Sequence, residues 1–203
     1  MVPQIGATPR QVRMRLTLAS GSPQRKEILE KLGLEFDVVV PGIEELTAGD
    51  PEHLVVENAR RKAAAVEGEV VIACDTDVVL DGEVLGKPRD EADARRYLDR
   101  MSGRAHTVMS GLVVVDGTQF SPHTGDNCVR SGLERTTVVF KQLSDAEKDR
   151  YVAFGEWQGR SGGYAIQTLG SSLVERLEGS VSNVVGLPVG LLAELAPRLF
   201  TRS

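Results

Sequence analysis

The run Val70-Val71-Ile72-Ala73-Cys74 is apolar at every position and leads straight into Asp75-Thr76-Asp77. A strand with no polar alternation is buried on both faces, which requires a sheet covered by helices on either side. The flanking sequence supplies those helices. Ser22 is an N-cap and Pro23 a first helical position for a helix whose stripe is Ile28, Leu29 and Leu32, stopped by Gly33. Asp50-Pro51 opens a second helix that carries Leu54, Val55, Asn58, Ala59, Lys62 and Ala63 on one side and is closed by Gly68.

Short strands are expected at Leu16 to Ala19 and Phe36 to Val40. Asp81-Gly82, between Val78-Val79-Leu80 and Glu83-Val84-Leu85, is a two-residue hairpin signal. A helix is expected from Asp90 to Met101, with Ala94, Tyr97, Leu98 and Met101 inward. Thr107 to Val115 and Glu134 to Lys141 read as strands joined by a polar loop. Ser144-Asp145-Ala146-Glu147 is a capping box for a helix ending at Gly155. Strands are expected at Tyr164 to Gln167 and Leu173 to Leu177, and a last helix from Pro188 through Leu199. Helices alternating with strands and hairpins predict an α/β fold with a mixed sheet and flanking helices.

At 203 residues the chain suits one well-filled core, read here as a polar extension over 1–13 and one domain over 14–203, with Met14 an alternative start. The net charge of -5 argues against a nucleic-acid surface, while a small anion needs only local cations. Two cysteines are too few for a disulfide framework, and no apolar stretch approaches the ~18 residues of a membrane span. With no secretory h-region in the first residues, a cytoplasmic location is expected.

Two segments bear chemistry. Ser20-Gly21-Ser22-Pro23-Gln24-Arg25 turns a strand into a helix, where unpaired N–H groups, two hydroxyls and a guanidinium suit a phosphate. Taken alone, it reads first as a plain helix opening with an exposed Arg behind it. Asp75 is read as ending its strand, where open α/β sheets place ligands, or as an ordinary turn residue. A carboxylate near pH ~4 is a feeble base unless a metal lowers the pKa of a bound water. Glu44 and Glu45 are a further metal ligand or a solvated turn. Lys62 snorkels from an apolar stripe or reaches a phosphate. Gly159-Arg160-Ser161-Gly162-Gly163 matches the G-x-S-x-G hydrolase elbow, but a helix precedes it, a strand is expected after it, and no His follows. The serine hydrolase reading is rejected.

Taken together, these blocks resemble the Maf family of nucleoside triphosphate pyrophosphatases, also described as septum-formation inhibitors. The resemblance runs from about Met14 to the end. It rests on Leu18-Ala19-Ser20 with Ser22-Pro23, Gly42-Ile43-Glu44-Glu45, Ala59-Arg60-Arg61-Lys62-Ala63 and Ala73-Cys74-Asp75-Thr76. Gly86-Lys87-Pro88, Ser102-Gly103-Arg104, Gly163-Tyr164-Ala165-Ile166-Gln167 and Val185-Gly186-Leu187-Pro188 follow in order. It implies an inosine-triphosphatase-like two-lobed fold with a central cleft, commonly a homodimer. The implied reaction takes a nucleoside triphosphate to the monophosphate and pyrophosphate with a divalent cation, Mg or Mn. By the same resemblance, Asp75 is the proton acceptor and acts with Lys87 and Glu45. Ser20, Ser22, Arg25 and Lys62, with Lys87, bind phosphate, and Glu45 and Asp75 hold the metal. Gln24, Thr76 and Gln167 are specificity positions.

The chain departs from the family at Gln24, where a basic or aromatic residue is usual, and at Asp77, where an apolar one is. Tyr164 to Gln167 points to the branch acting on dTTP and UTP, since a Gln amide can face a thymine or uracil edge. The alternatives are the branch acting on 7-methylguanosine triphosphate and a nucleotide-binding cell-division regulator without catalysis.

Overall fold

The computed structural model describes residues 15–120 and 127–201. The 1–13 extension and the alternative start at Met14 lie outside the described residues.

Strand β1 (Leu16–Ala19) passes through Ser20–Ser22 into α1 (Pro23–Lys31). Ser22 caps that helix and Pro23 takes its first turn, as the sequence predicts. Gly33, at φ +73°, turns the chain into β2 (Phe36–Val39). Helix α2 (Pro51–Ala64) is capped by Asp50, and the six residues assigned to its inner side are its buried ones. It stops four residues before Gly68, at Ala64.

Strand β3 (Val70–Leu80) corrects the sequence reading most. It does not end at Asp75. It keeps its ladder with a later strand through Asp75, Thr76 and Asp77, so three polar residues taken for a terminus are strand interior. The predicted hairpin then brings β4 (Glu83–Leu85) back onto it, with both Asp81 and Gly82 at positive φ, as a two-residue turn of this type requires. Helix α3 (Glu91–Met101) follows its Asp90 cap.

β5 (Ala105–Phe120) and β6 (Asn127–Phe140) are longer than expected. Most of the polar stretch assigned to a loop is paired strand, because backbone ladders do not need apolar side chains on an open face. The remaining 121–126 lie outside the described residues. Helix α4 (Asp145–Phe154) carries the complete capping box and ends at left-handed Gly155.

Tyr164 to Gln167 is not a strand: the Ala165 N–H donates to the Tyr151 hydroxyl at 3.1 Å instead of joining a ladder. Strand β7 (Val174–Glu178) begins one residue late, since Leu173 closes a short 3-10 turn. A short helix absent from the sequence reading, α5 (Val181–Val185), precedes α6 (Val189–Leu195). The last helix therefore stops before Pro197, whose ring cannot continue it, and residues to Leu199 form a 3-10 turn.

Among the described residues the sheet runs β2-β1-β3-β5-β6-β7, with β4 also paired to β3. β1 pairs in parallel with β2 and β3, and the remaining pairs are antiparallel, so the sheet is mixed. The long strands span two cores. At one end Leu18, Leu29, Ile72, Cys74, Leu187 and Leu192 pack on one sheet face, while the small residues Ala59, Ala63, Val71 and Ala73 seat α2 on the other. At the other end Leu80, Leu98, Met101, Phe140, Tyr151 and Trp157 form the second core. Each fully buried Leu contributes roughly 1.5–3 kcal/mol. The molecule is thus an α/β fold of two lobes. On one edge of β3, β1 pairs only as far as Ile72 and β4 begins only at Val78. The cleft opens at that gap.

Candidate active site

Because β3 crosses the gap as an extended strand, alternate side chains face opposite lobe surfaces. Asp75 follows Ala73 toward α2, and Thr76 follows Cys74 toward α1. Asp75 is buried. Its Oδ1 accepts from Lys62 Nζ at 2.6 Å and its Oδ2 from Asn58 Nδ2 at 3.1 Å. Both donors belong to α2. The same Lys62 ammonium lies 2.6 Å from Glu45 Oε1, so one cation joins two carboxylates. Asn58 also holds the Leu46 backbone, accepting from its N–H at 2.8 Å and donating to its C=O at 3.1 Å, which fixes the loop beside Glu45. Glu44 is exposed and does not line the cleft.

On the α1 side, the buried Arg25 guanidinium spans three elements. It donates to Gly186 C=O at 2.8 Å, Ser20 Oγ at 3.0 Å and Thr76 Oγ1 at 3.2 Å. Thr76 Oγ1 lies 2.8 Å from Ser110 Oγ, which ties it to β5. Burial pushes the Cys74 thiol up, so it stays a neutral packing group.

Asp77 continues the Asp75 side of the strand. Burial, then the negative charge of Asp75, raises it to about 6. Ser161 Oγ sits 2.9 Å from Asp77 Oδ1 and 2.8 Å from the Leu85 C=O, and accepts from the Val78 N–H at 3.1 Å. The serine of the rejected elbow motif is thus a brace between β3 and β4. Gly162, at φ +70°, brings that turn so close to Val78 that a Cβ would come within 2.6 Å of it.

A cleft of about 380 Å³ gathers Ser20, Ser22, Gln24, Arg25, Glu45, Lys62, Asp75, Thr76, Lys87 and Gln167, every site residue expected from the sequence except Glu44. Asp77, Arg160 and Ser161 line it as well. The sequence reading missed Arg160 and Asn58 as site groups. Asn58 left a signal, as a polar residue in an apolar stripe. Arg160 left none beyond its place in the elbow motif.

Charge is divided across the cleft. On one wall Glu45 and Asp75 share Lys62, with Asp77 two residues further along the same face of β3. Among the described residues, Arg25, Lys87 and Arg160 have no carboxylate in ion-pair contact. Hard carboxylate oxygens are the donors that Mg²⁺ prefers, and it is commonly held by one or two carboxylates completed by phosphate oxygens and water. Among the described residues no group of three His, Cys, Asp or Glu side chains could hold an ion by itself. No helix among them is long and apolar enough to cross a membrane.

Fold and site define a two-lobed α/β protein whose interlobe cleft sets unpaired cations against a lysine-bridged pair of carboxylates. A family model described as Maf-like protein matches residues 15–199. The dTTP/UTP pyrophosphatase of Anaeromyxobacter sp. is 48% identical over 186 residues, covering 91% of this chain and 89% of that protein. The dTTP/UTP pyrophosphatase of Deinococcus radiodurans is 43% identical, covering 92% of this chain and 94% of that one. The Staphylococcus aureus Ham1 protein superposes with a TM-score of 0.43 at 16% identity, over 62% of this chain and 71% of its own. This chain belongs to the Maf family.

Proposed function

We propose that the protein hydrolyses nucleoside triphosphates to the monophosphate and pyrophosphate, with dTTP and UTP as preferred substrates. The observation that carries this is Lys62 bridging Glu45 and Asp75 in the same cleft as three cations without carboxylate partners. The names and high identity of the relatives support it.

Water attacks the α-phosphorus, the bond to the bridging oxygen breaks, and pyrophosphate departs. Asp75 takes the proton from the water. Asn58 and Lys62 each hold one of its oxygens, which orients the carboxylate and leaves lone pairs for that proton. Arg25, Lys87 and the Ser20 and Ser22 hydroxyls bind the phosphates, and cations aimed at charge that develops on the leaving group lower the barrier. Glu45 and Asp75 would hold a Mg²⁺ or Mn²⁺ ion, which when bound polarises phosphoryl oxygens and lowers the pKa of water. Gln167 and Thr76 select the base.

The test is a panel of dTTP, UTP, 7-methylguanosine triphosphate, ATP and CTP, each with Mg²⁺ or Mn²⁺, followed by pyrophosphate release. Turnover of dTTP and UTP is expected. Binding without pyrophosphate release across the panel would replace the enzyme with a nucleotide-binding regulator.

A further inference from the structure

We infer that Arg160 binds the polyphosphate part of the ligand and that Gln24 is the positioning residue that holds it in the cleft. This deepens the function proposed above, since it names how that site takes its substrate's charge. Arg160 is half-buried in the loop between α4 and the 3-10 turn at Ser161–Gly163. Its Nε donates to the Glu156 C=O at 2.9 Å, which fixes one edge of the guanidinium. The other edge faces Gln24, from the first turn of α1. With the Gln24 amide oriented by its neighbours, its nitrogen donates to Ser22 Oγ at 3.0 Å. Its oxygen accepts from both terminal nitrogens of Arg160, at 3.2 and 3.3 Å.

Those partners are neutral, so the contacts spend part of the donor fork without cancelling the charge. The cleft's buried lysine, Lys62, is by contrast already committed to two carboxylates. A guanidinium aimed into an anion-suited cleft and left uncompensated is a binding group. The link joins α1 to the α4 loop across the cleft, so a bound polyphosphate is gripped from both lobes. It also gives Gln24 a purpose that a longer cation would not serve, because an Arg or Lys there would push Arg160 away.

Inorganic triphosphate is the probe, because its binding requires no hydrolysis. Calorimetry at low and high salt should show Arg160→Gln raising Kd about tenfold, the scale of one lost charge-assisted contact. The salt dependence should flatten, since one fewer charge is screened. Arg160→Lys, which keeps the charge, should recover part of the affinity and guards against a folding defect. Gln24→Leu should raise Kd several-fold, and Gln24→Leu/Arg160→Gln should bind no worse than Arg160→Gln alone, because one contact is lost in each case. In nucleotide hydrolysis the Gln24→Leu effect should fall on KM more than on kcat.

Unchanged Kd and salt dependence in Arg160→Gln, or a native protein that does not bind triphosphate, overturns the inference. Additive effects in the double variant overturn the positioning role of Gln24. Triphosphate binding that depends on Arg160, with no nucleotide turned over, would sink the pyrophosphatase reading and leave this one standing.

Discussion

Gly111 stands directly opposite Asp75 in the β3–β5 ladder, and the space beside its Cα is filled by the Val55 carbonyl of α2. A Cβ at Gly111 would lie 2.2 Å from that oxygen. The absent side chain lets α2 sit directly on the sheet at the point where Asn58 and Lys62 reach Asp75. Close approach of backbone to backbone is thus what assembles the carboxylate–lysine cluster.

Gly111→Ala should therefore act on the site as well as on stability. The obstacle is helix backbone, so α2 must shift, at a cost of about 1–3 kcal/mol or more. The shift draws Lys62 and Asn58 from Asp75, so kcat should fall in protein that is still folded. Gly132→Ala is the control, because its Cβ would meet only the flexible end of Leu191, at 2.7 Å. Chemical denaturation and steady-state kinetics on the two variants check this. Normal kcat in folded Gly111→Ala would show that the helix does not set the cluster's geometry.

Asp75→Asn should abolish turnover and leave the fold intact. The amide matches the carboxylate in shape but cannot accept the proton, and general-base assistance is worth ~10²–10⁴-fold. Near-normal pyrophosphate release from a folded variant would move the base elsewhere, with Glu45 next.

Lys62→Met leaves Glu45 and Asp75 facing each other without their shared cation. Breaking a buried pair by removing one partner costs about 3–5 kcal/mol, and the lower end is expected because Asn58 still holds Asp75. Lys62→Met should lower both the urea midpoint and kcat/KM. A variant as stable as the parent would mean that the two carboxylates do not depend on Lys62.

The α2 side of this cluster left a signal in the sequence, read at Lys62 and missed at Asn58. Asn58 and Lys62 interrupt an apolar stripe that otherwise packs, and two polar groups on a buried face must have partners. The Asp81-Gly82 turn was legible, because few residue pairs accept positive φ twice. Continuation of β3 through Asp75 to Asp77 was not, since what keeps that segment extended is the β5 backbone across the ladder, not its own side chains. Tyr164 to Gln167 has strand-like composition, yet the Tyr151 hydroxyl and the glycines before it decide its path. Arg160 was hidden for a related reason: its partner Gln24 lies far away in sequence and meets it only across the cleft.

Gln167 is exposed on the cleft wall in a loop, not in a strand as expected. A base reader in that position should discriminate through hydrogen bonds to an imide edge, because a wrong base leaves polar groups unpaired. Gln167→Ala should lower kcat/KM for dTTP and UTP toward the values for ATP and 7-methylguanosine triphosphate. Competition assays with paired nucleotides measure that ratio. A parent enzyme that prefers 7-methylguanosine triphosphate would give Gln167 a different role and leave the hydrolysis itself in place.

Half-buried Asp77 and buried His106 should oppose each other in the pH dependence of stability. Asp77 is raised by burial, then by Asp75, from 3.8 to about 6, so the folded chain keeps this proton to higher pH than the unfolded chain. Its contribution is fully present below about pH 4 and lost as pH rises through 6. In the protonated state Asp77 can donate to Ser161 Oγ, which frees the serine to donate to Leu85. His106 is depressed by burial from 6.5 to about 4, so the unfolded chain takes this proton first as pH falls. Its effect is a loss of stability between pH 6.5 and 4. Each linkage is worth about 3 kcal/mol, so they largely cancel in that window. Asp93 and Glu147, held below the ordinary carboxylate range by Arg89 and Lys141, give up their share only at more acid pH. Asp77→Asn keeps an acceptor for Ser161 and removes one side of the balance. The variant should be more stable than the parent at pH 8 by up to about 3 kcal/mol. That advantage should vanish near pH 4, with the slope due to His106 exposed in between. Urea midpoints measured from pH 8 to pH 4 decide it, and parallel curves for variant and parent would show that Asp77 is not held in a buried, charge-averse setting.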